Sequence, residues 1–194
     1  MVTDKEAVDT GTPELLASLD AGVLTLTLNR PAARNALTEA MVVALADQLA
    51  LAETDPRVRC IVLTGAGAAF CAGGDVRDMA RTGDGTVGAY TMDEAIHRQR
   101  LAQRSTPKPT IAAINGPAAG AGLSLSLACD LRIMSDATFL TTAFARVGFS
   151  GDYGCSYFLT LLVGPAKARE LFFLSDRIDA DEALRLGMVN KLCA

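Results

Sequence analysis

Three segments of this 194-residue chain combine residue types that could do chemistry. The first is Ile114-Asn115-Gly116-Pro117-Ala118-Ala119-Gly120-Ala121-Gly122-Leu123, a nearly pure glycine and alanine loop between two apolar runs. Small residues let a ligand approach the backbone closely. If a helix begins there, its first N–H groups lack partners and stand at its positive end. That geometry suits a phosphate or a developing oxyanion. Tight packing of a helix on a sheet selects the same residues, so this loop alone leaves both readings open. It contains no GxGxxG motif, and no phosphate loop closing in Gly-Lys-Ser or Gly-Lys-Thr occurs in the chain.

The second segment is Gly65-Ala66-Gly67-Ala68-Ala69-Phe70-Cys71-Ala72-Gly73-Gly74-Asp75, which also follows an apolar run. Two such loops, each after a strand of one sheet, can give one N–H apiece to a single carbonyl oxygen. That is the minimum for a two-donor oxyanion hole. The third segment, Val147-Gly148-Phe149-Ser150-Gly151-Asp152-Tyr153-Gly154, offers a carboxylate ahead of an apolar helix. Asp152 is equally suited to cap that helix. His97 is the single histidine, and a lone helical histidine more often serves surface or packing. Ser124, Ser126 and Tyr153 are further polar candidates. Cys71 and Cys155 read as small apolar fillers, because no histidine neighbour marks either thiol as activated.

The elements that must position these groups follow from the pattern. Leu15 to Asp20 and Val23 to Asn29 read as strands joined at Ala21-Gly22, the second alternating apolar with polar residues. Thr38 caps a helix reaching about Thr54, and Asp55-Pro56 stops it. Cys60 to Thr64 and Thr110 to Asn115 are apolar runs of buried-strand length. Between them the reading gives a short helix from Asp75, a loop at Gly83 to Gly88 and a helix over Tyr90 to Arg104. Helix Leu123 to Ala128 and strands Leu131 to Met134 and Thr138 to Thr141 follow. Helices at Cys155 to Val163, Pro165 to Ser175 and Ala180 to Leu186 precede a last strand at Met188 to Leu192. Strands alternating with helices predict an α/β class with parallel pairing.

Composition bounds the function. Half the residues are hydrophobic, the net charge is −4 and tryptophan is absent. No basic block stands out, which argues against nucleic acid as a partner. No apolar run is long enough to predict a membrane span or a signal peptide. Five cysteines at 60, 71, 129, 155 and 193 form no CxxC pair and read as reduced cytoplasmic thiols. One histidine and unclustered cysteines predict no metal site. Residues 1–13 are expected to be a polar tail and 14–194 a single domain.

Several motifs together resemble the enoyl-CoA hydratase/isomerase, or crotonase, family. They are Asn29-Arg30-Pro31-x-x-x-Asn35-Ala36, Phe70-x-Ala72-Gly73-x-Asp75, Ala112-Ala113-Ile114-Asn115-Gly116, Cys129-Asp130 and Ala183-x-x-x-Gly187-x-Val189. The resemblance implies a crotonase-like spiral of ββα units, here with the C-terminal helical segment short or missing, assembled as a trimer or hexamer. It implies an acyl-CoA substrate, with coenzyme A part of that substrate and no separate cofactor. By position, the N–H groups of Gly74 and Ala121 would form the oxyanion hole. Ala33, Arg34, Ala36 and Ala72 would line the coenzyme A and adenine site, and Gly73, Asp75, Val76, Pro117 and Gly120 would add substrate contacts.

Hydratases of the family carry two glutamates, and the matching positions here are Ser124 and Phe144. Paired-carboxylate hydration is therefore unsupported. Asp152 matches the position of a proton-shuttling Asp in family members that move double bonds, which points to isomerisation. It also matches a nucleophilic Asp in the haloaroyl-CoA dehalogenase branch, where His97 would correspond to a water-activating His. Hydratase activity, Asp152/His97 hydrolysis or dehalogenation, and non-catalytic acyl-CoA binding stand as the alternatives.

Overall fold

Leu15, Ala17 and Leu19 point one way along their strand and are buried, while the residues between them are more exposed. Leu24, Leu26 and Leu28 repeat the pattern on the next strand. This period of two, fixed by the pleat, turns one face of a hairpin into the floor of the core. The computed structural model describes residues 5–75, 106–151 and 153–194. In chain order its strands are β1 (Glu6–Val8), β2 (Leu15–Asp20), β3 (Val23–Leu28), β4 (Cys60–Gly65), β5 (Thr110–Ile114) and β6 (Ala118–Ala119). There follow β7 (Leu131–Ser135), β8 (Phe139–Thr141), β9 (Ile178–Asp179) and β10 (Lys191–Cys193). The described α-helices are α1 (Glu39–Thr54), α2 (Ala121–Ala128), α3 (Cys155–Leu174) and α4 (Ala180–Arg185).

The larger sheet has seven strands in the order β1-β2-β3-β4-β5-β7-β10. The hairpins β1–β2 and β2–β3 are antiparallel, and every pair from β3 to β10 is parallel. A second sheet of order β6-β8-β9 lies off the first. The chain thus repeats a unit: a strand in the large sheet, a short strand in the small one, then a helix. β5–β6–α2 and β7–β8–α3 are two turns of that spiral. The α/β expectation with parallel pairing is borne out.

Several expectations are corrected. The supposed polar tail contributes β1, an edge strand whose Glu6 pairs with Leu19. Its burial pattern is almost wholly exposed, so hydrophobic periodicity could not reveal it. The short strands β6 and β9 were also not legible, since two residues carry no period. Helix α2 begins at Ala121 rather than Leu123. By contrast, the two helices expected on either side of Gly164 are borne out: Gly164 is non-helical, with φ 77° and ψ 163°, Pro165 follows it, and α3 passes there from one helix into the next. Helix α3 begins at Cys155, as expected, after the left-handed Gly154. The helix at Asp75, the loop at Gly83 to Gly88, and the helix over Tyr90 to Arg104 with His97 lie outside the described residues beyond Asp75, as do Val76 and Asp152.

Helix α2 is buried all round: every residue from Ala121 to Leu127 is buried. Such a helix sits at the centre of a core. It contacts α3, β5 and β6, so the glycine–alanine loop that starts it is held from several sides.

Candidate active site

Three loops at the ends of β3, β4 and β5 are stitched together by backbone bonds. The Ala72 N–H donates to the Arg34 carbonyl at 3.0 Å and the Leu37 N–H to the Gly73 carbonyl at 2.8 Å. The Asp75 N–H returns to the Leu37 carbonyl at 3.1 Å. On the other side, the Ala119 N–H donates to the Cys71 carbonyl at 2.9 Å. Cys71 and Ala118 form a parallel bridge. The loop after β4 is therefore the middle of three strands' worth of backbone.

This contact is closer than side chains permit. A Cβ added to Gly122 would lie 2.3 Å from the Cys71 carbonyl oxygen, and one added to Gly116 would lie 2.3 Å from the Ala68 carbonyl oxygen. Both obstructions are backbone, so only glycine fits. Gly73 has φ +99°, and a Cβ there would lie 3.0 Å from the Ala119 carbonyl oxygen and 3.5 Å from the Ala121 nitrogen. The two glycine–alanine loops thus meet at Gly73-Gly74 and Gly120-Ala121.

At that meeting point two N–H groups are unspent. Ala121 is the first residue of α2, and its cap Gly120 has φ 51° and ψ −124° and no side chain to cap with. The first intrahelical bond of α2 runs from the Ser124 N–H to the Gly120 carbonyl, at 3.0 Å. Among the described residues, neither the Ala121 N–H nor the Gly74 N–H has a hydrogen-bond partner. A buried helix end without partners is unusual unless a ligand or water completes it.

The Asn35 side chain holds the first two loops in register. Its Oδ1 accepts the Arg30 N–H at 2.9 Å, and its Nδ2 donates to the Ala66 and Ala69 carbonyls at 2.9 and 2.8 Å. It is fully buried, with a left-handed φ of 57°. Asparagine tolerates that conformation better than most residues. The Asp75 carboxylate pairs with Arg30 at 3.0 Å. Arg34, also left-handed, is exposed, and its guanidinium has no ion-pair partner among the described residues. Ala72 is exposed and Ala33 half-buried, whereas Ala36 is buried. Pro117 receives the Phe70 N–H on its carbonyl at 3.2 Å.

The remaining polar candidates are placed as follows. The Ser124 hydroxyl is buried and donates to the Gly120 carbonyl at 3.1 Å. Ser126 likewise bonds Leu123 at 2.7 Å. Phe144 is buried and stacks on Phe172 with ring centroids 6.1 Å apart. Its ring separates two backbones: a Cβ on Gly120 would lie 3.7 Å from Phe144 Cε1, and one on Gly151 would lie 3.9 Å from Phe144 Cδ2. Residue 151, next to Asp152 in sequence, is therefore one ring's width from the donor loop. Burial pushes the Cys71 thiol up to about 12, opposed by a weaker bond from the Gly73 backbone. That thiol donates to the Asn35 carbonyl at 3.1 Å and is no nucleophile. Among the described residues no cluster of three or more His, Cys, Asp or Glu could hold a metal. Nor is any described helix long and apolar enough to cross a membrane.

Sequence reasoning missed the purpose of two motifs. Asp130 accepts both the N–H and the hydroxyl of Thr110, each at 2.8 Å, tying the starts of β5 and β7. Arg132 is buried and donates to the Met188 carbonyl at 2.7 Å, docking the turn after α4 beside β7. It also donates to the nearby Cys129 carbonyl, but the Met188 carbonyl lies 56 residues away, which its neighbours in sequence do not reveal.

A spiral of this architecture, with two unspent N–H groups on adjoining loops, defines a class that comparison makes specific. The profile of the Enoyl-CoA hydratase/isomerase family matches residues 18–194. The chain is 38% identical over 181 residues to 1,2-epoxyphenylacetyl-CoA isomerase of Escherichia coli (strain K12), covering 90% of this chain and 68% of that protein. It is 34% identical to 4-chlorobenzoyl coenzyme A dehalogenase-2 of Arthrobacter sp, over 88% of this chain and 63% of that one. The crystal structure of an enoyl-CoA hydratase from Mycobacterium avium subsp. paratuberculosis K-10 superposes with a TM-score of 0.87 at 32% identity, covering 94% of this chain and 72% of that one. The chain belongs to the enoyl-CoA hydratase/isomerase family and has the crotonase fold. It is an enzyme of that family.

Proposed function

We propose that the chain binds an acyl-CoA thioester with its carbonyl oxygen between the Gly74 and Ala121 N–H groups, and that it moves a double bond in the acyl chain. The observation that carries this is the pair of unspent N–H groups on adjoining loops, one of them the first donor of a buried helix. When the thioester carbonyl is held there, negative charge developing on its oxygen is stabilised, and the α proton becomes acidic. The charge arises in the transition state and not in the substrate, so the stabilisation accelerates the chemical step. The exposed Arg34 and the small residues Ala33 and Ala72 supply one cation and a low wall for the coenzyme A portion. Asp75, paired with Arg30, acts by holding the donor loop.

Proton movement falls to Asp152. The two positions that match the hydratase glutamates offer no carboxylate: Ser124 spends its hydroxyl on Gly120, and Phe144 is an aromatic spacer. The spacer leaves residue 151 within one ring of the donor loop, which supports a carboxylate from the next residue reaching the acyl chain. A second reading, attack by Asp152 on an activated aryl carbon, is favoured by the likeness to the Arthrobacter dehalogenase. Apolar side chains exposed on α3, among them Tyr157, Leu161, Phe173 and Leu174, support the trimeric or hexameric assembly expected from the family.

Interconversion of 3-enoyl-CoA and 2-enoyl-CoA esters in deuterated water tests the proposal. Solvent deuterium should enter the α or γ carbon, and Asp152→Asn should lower the rate by about 10²–10⁴ with ester binding retained. A fully active Asp152→Asn enzyme would remove Asp152 from the mechanism. Halide release from a haloaryl-CoA ester, without isomerisation, would favour the second reading.

A further inference from the structure

The Gly120 N–H, one residue before the Ala121 donor, is held by the Thr141 carbonyl at 3.1 Å. Thr141 is itself anchored. Its buried hydroxyl donates to the Ser175 carbonyl at 3.0 Å. Ser175 is the left-handed cap that ends α3, with φ 50°. The next residue repeats the attachment: the Thr142 hydroxyl donates to the Leu171 carbonyl at 2.8 Å and lies 3.1 Å from the Ser175 hydroxyl. The Ser175 hydroxyl in turn donates to the Phe172 carbonyl at 3.2 Å.

Packing alone does not call for these hydroxyls. A valine at 141 would suit a buried strand equally well, and a hydroxyl in such a place costs free energy unless bonded. What the hydroxyl adds is a fixed position for the strand end, and the carbonyl of that same residue fixes Gly120. A carbonyl displaced by a fraction of an ångström would turn the Ala119-Gly120 peptide that donates to it, and through the Gly120 backbone would re-aim the adjoining Ala121 N–H.

We propose that Thr141 is a positioning residue for the Ala121 donor, tying it through Ser175 to the end of α3. This rests on the two-donor reading above. The probe is 4-(dimethylamino)cinnamoyl-CoA, whose absorption moves to longer wavelength when its thioester carbonyl is polarised. Bound to the wild-type enzyme, it should show that shift. In Thr141→Val the probe should bind about as well but shift less, and kcat should fall by roughly 10- to 100-fold with KM little changed. Thr141→Ser, which keeps the hydroxyl, should restore both. Thr142→Val loses a hydroxyl from the same cluster that does not belong to the residue bonding Gly120, and should leave the shift near wild type. Thr141→Ala, which cannot overpack, replaces the valine variant if that one does not fold. A wild-type shift and kcat in folded Thr141→Val, or failure of serine to rescue, overturns the proposal and leaves the two-donor reading standing. No shift in the wild-type enzyme overturns that reading and the proposal with it.

Discussion

The Arg30 Nη1 lies 3.0 Å from the Asp75 Oδ2 and 2.7 Å from the Ala36 carbonyl oxygen, while the Nε of the same guanidinium is 3.3 Å from Glu14. One side chain therefore joins the entry to β2, the loop after β3 and the end of the donor loop. Glu14 also accepts the hydroxyl of Thr38, the cap of α1. Asp75→Asn keeps the shape and removes the charge. It should cost about 1–3 kcal/mol, read as a lower denaturant midpoint, together with reduced turnover. An unchanged midpoint would show that the pair is not holding the loop.

Asn35 gives a sharper test because donor and acceptor ends are both used. Asn35→Ala leaves two buried carbonyls with fewer partners and should cost at least about 1–3 kcal/mol. Asn35→Asp keeps the acceptor for the Arg30 N–H but turns a carboxylate oxygen toward the Ala66 and Ala69 carbonyls. At neutral pH it should be destabilised at least as much as the alanine variant. An aspartate variant as stable as wild type would contradict the assigned amide orientation.

Gly122→Ala should be far more damaging than its chemistry suggests. The new methyl would lie 2.3 Å from the Cys71 carbonyl oxygen, and backbone must move to make room. The expected outcome is loss of stability despite alanine's better helix propensity, worth about 1 kcal/mol in the opposite direction. Gly148→Ala, where no atom of the described residues beyond its chain neighbours lies within 4 Å, pays for its left-handed φ of 76° and should be milder. Equal effects at the two sites would refute the close contact.

The buried thiols carry a pH prediction. Burial raises both Cys71 and Cys129 from 9.0 to about 12, so the folded state disfavours their thiolates. The stability they contribute is complete below about pH 9 and is lost as pH climbs toward 12. At pH 8 iodoacetamide should reach the exposed Cys193 first and spare Cys71 and Cys129 until the chain unfolds. Early modification of Cys71 would contradict its burial.

The legible parts of this protein were those that repeat or that only one chemistry explains. Alternation in Val23 to Leu28 and the apolar run Thr110 to Ile114 gave strands because the pleat forces them. The Thr38 cap followed from its side-chain oxygen, which accepts the Met41 N–H. The close approach of the two glycine–alanine loops was foreshadowed by their composition, since Gly116 and Gly122 have no alternative. What stayed hidden depends on partners distant in sequence. β1 is recognised only by its pairing with β2, and the docking role of Arg132 only by the distant Met188 carbonyl.

A thioester carbonyl held between the Gly74 and Ala121 N–H groups would be polarised by both. Infrared difference spectroscopy of a bound acyl-CoA, ¹³C-labelled at that carbonyl, measures the polarisation directly. The C=O stretch should fall below its value in water for the wild-type enzyme. It should move back toward that value in Gly74→Pro, which deletes one donor without breaking any bond inside the described residues, and turnover should drop by roughly 10²-fold or more. A stretch in the wild-type complex equal to that of the free ester, unmoved by Gly74→Pro, would contradict the claim.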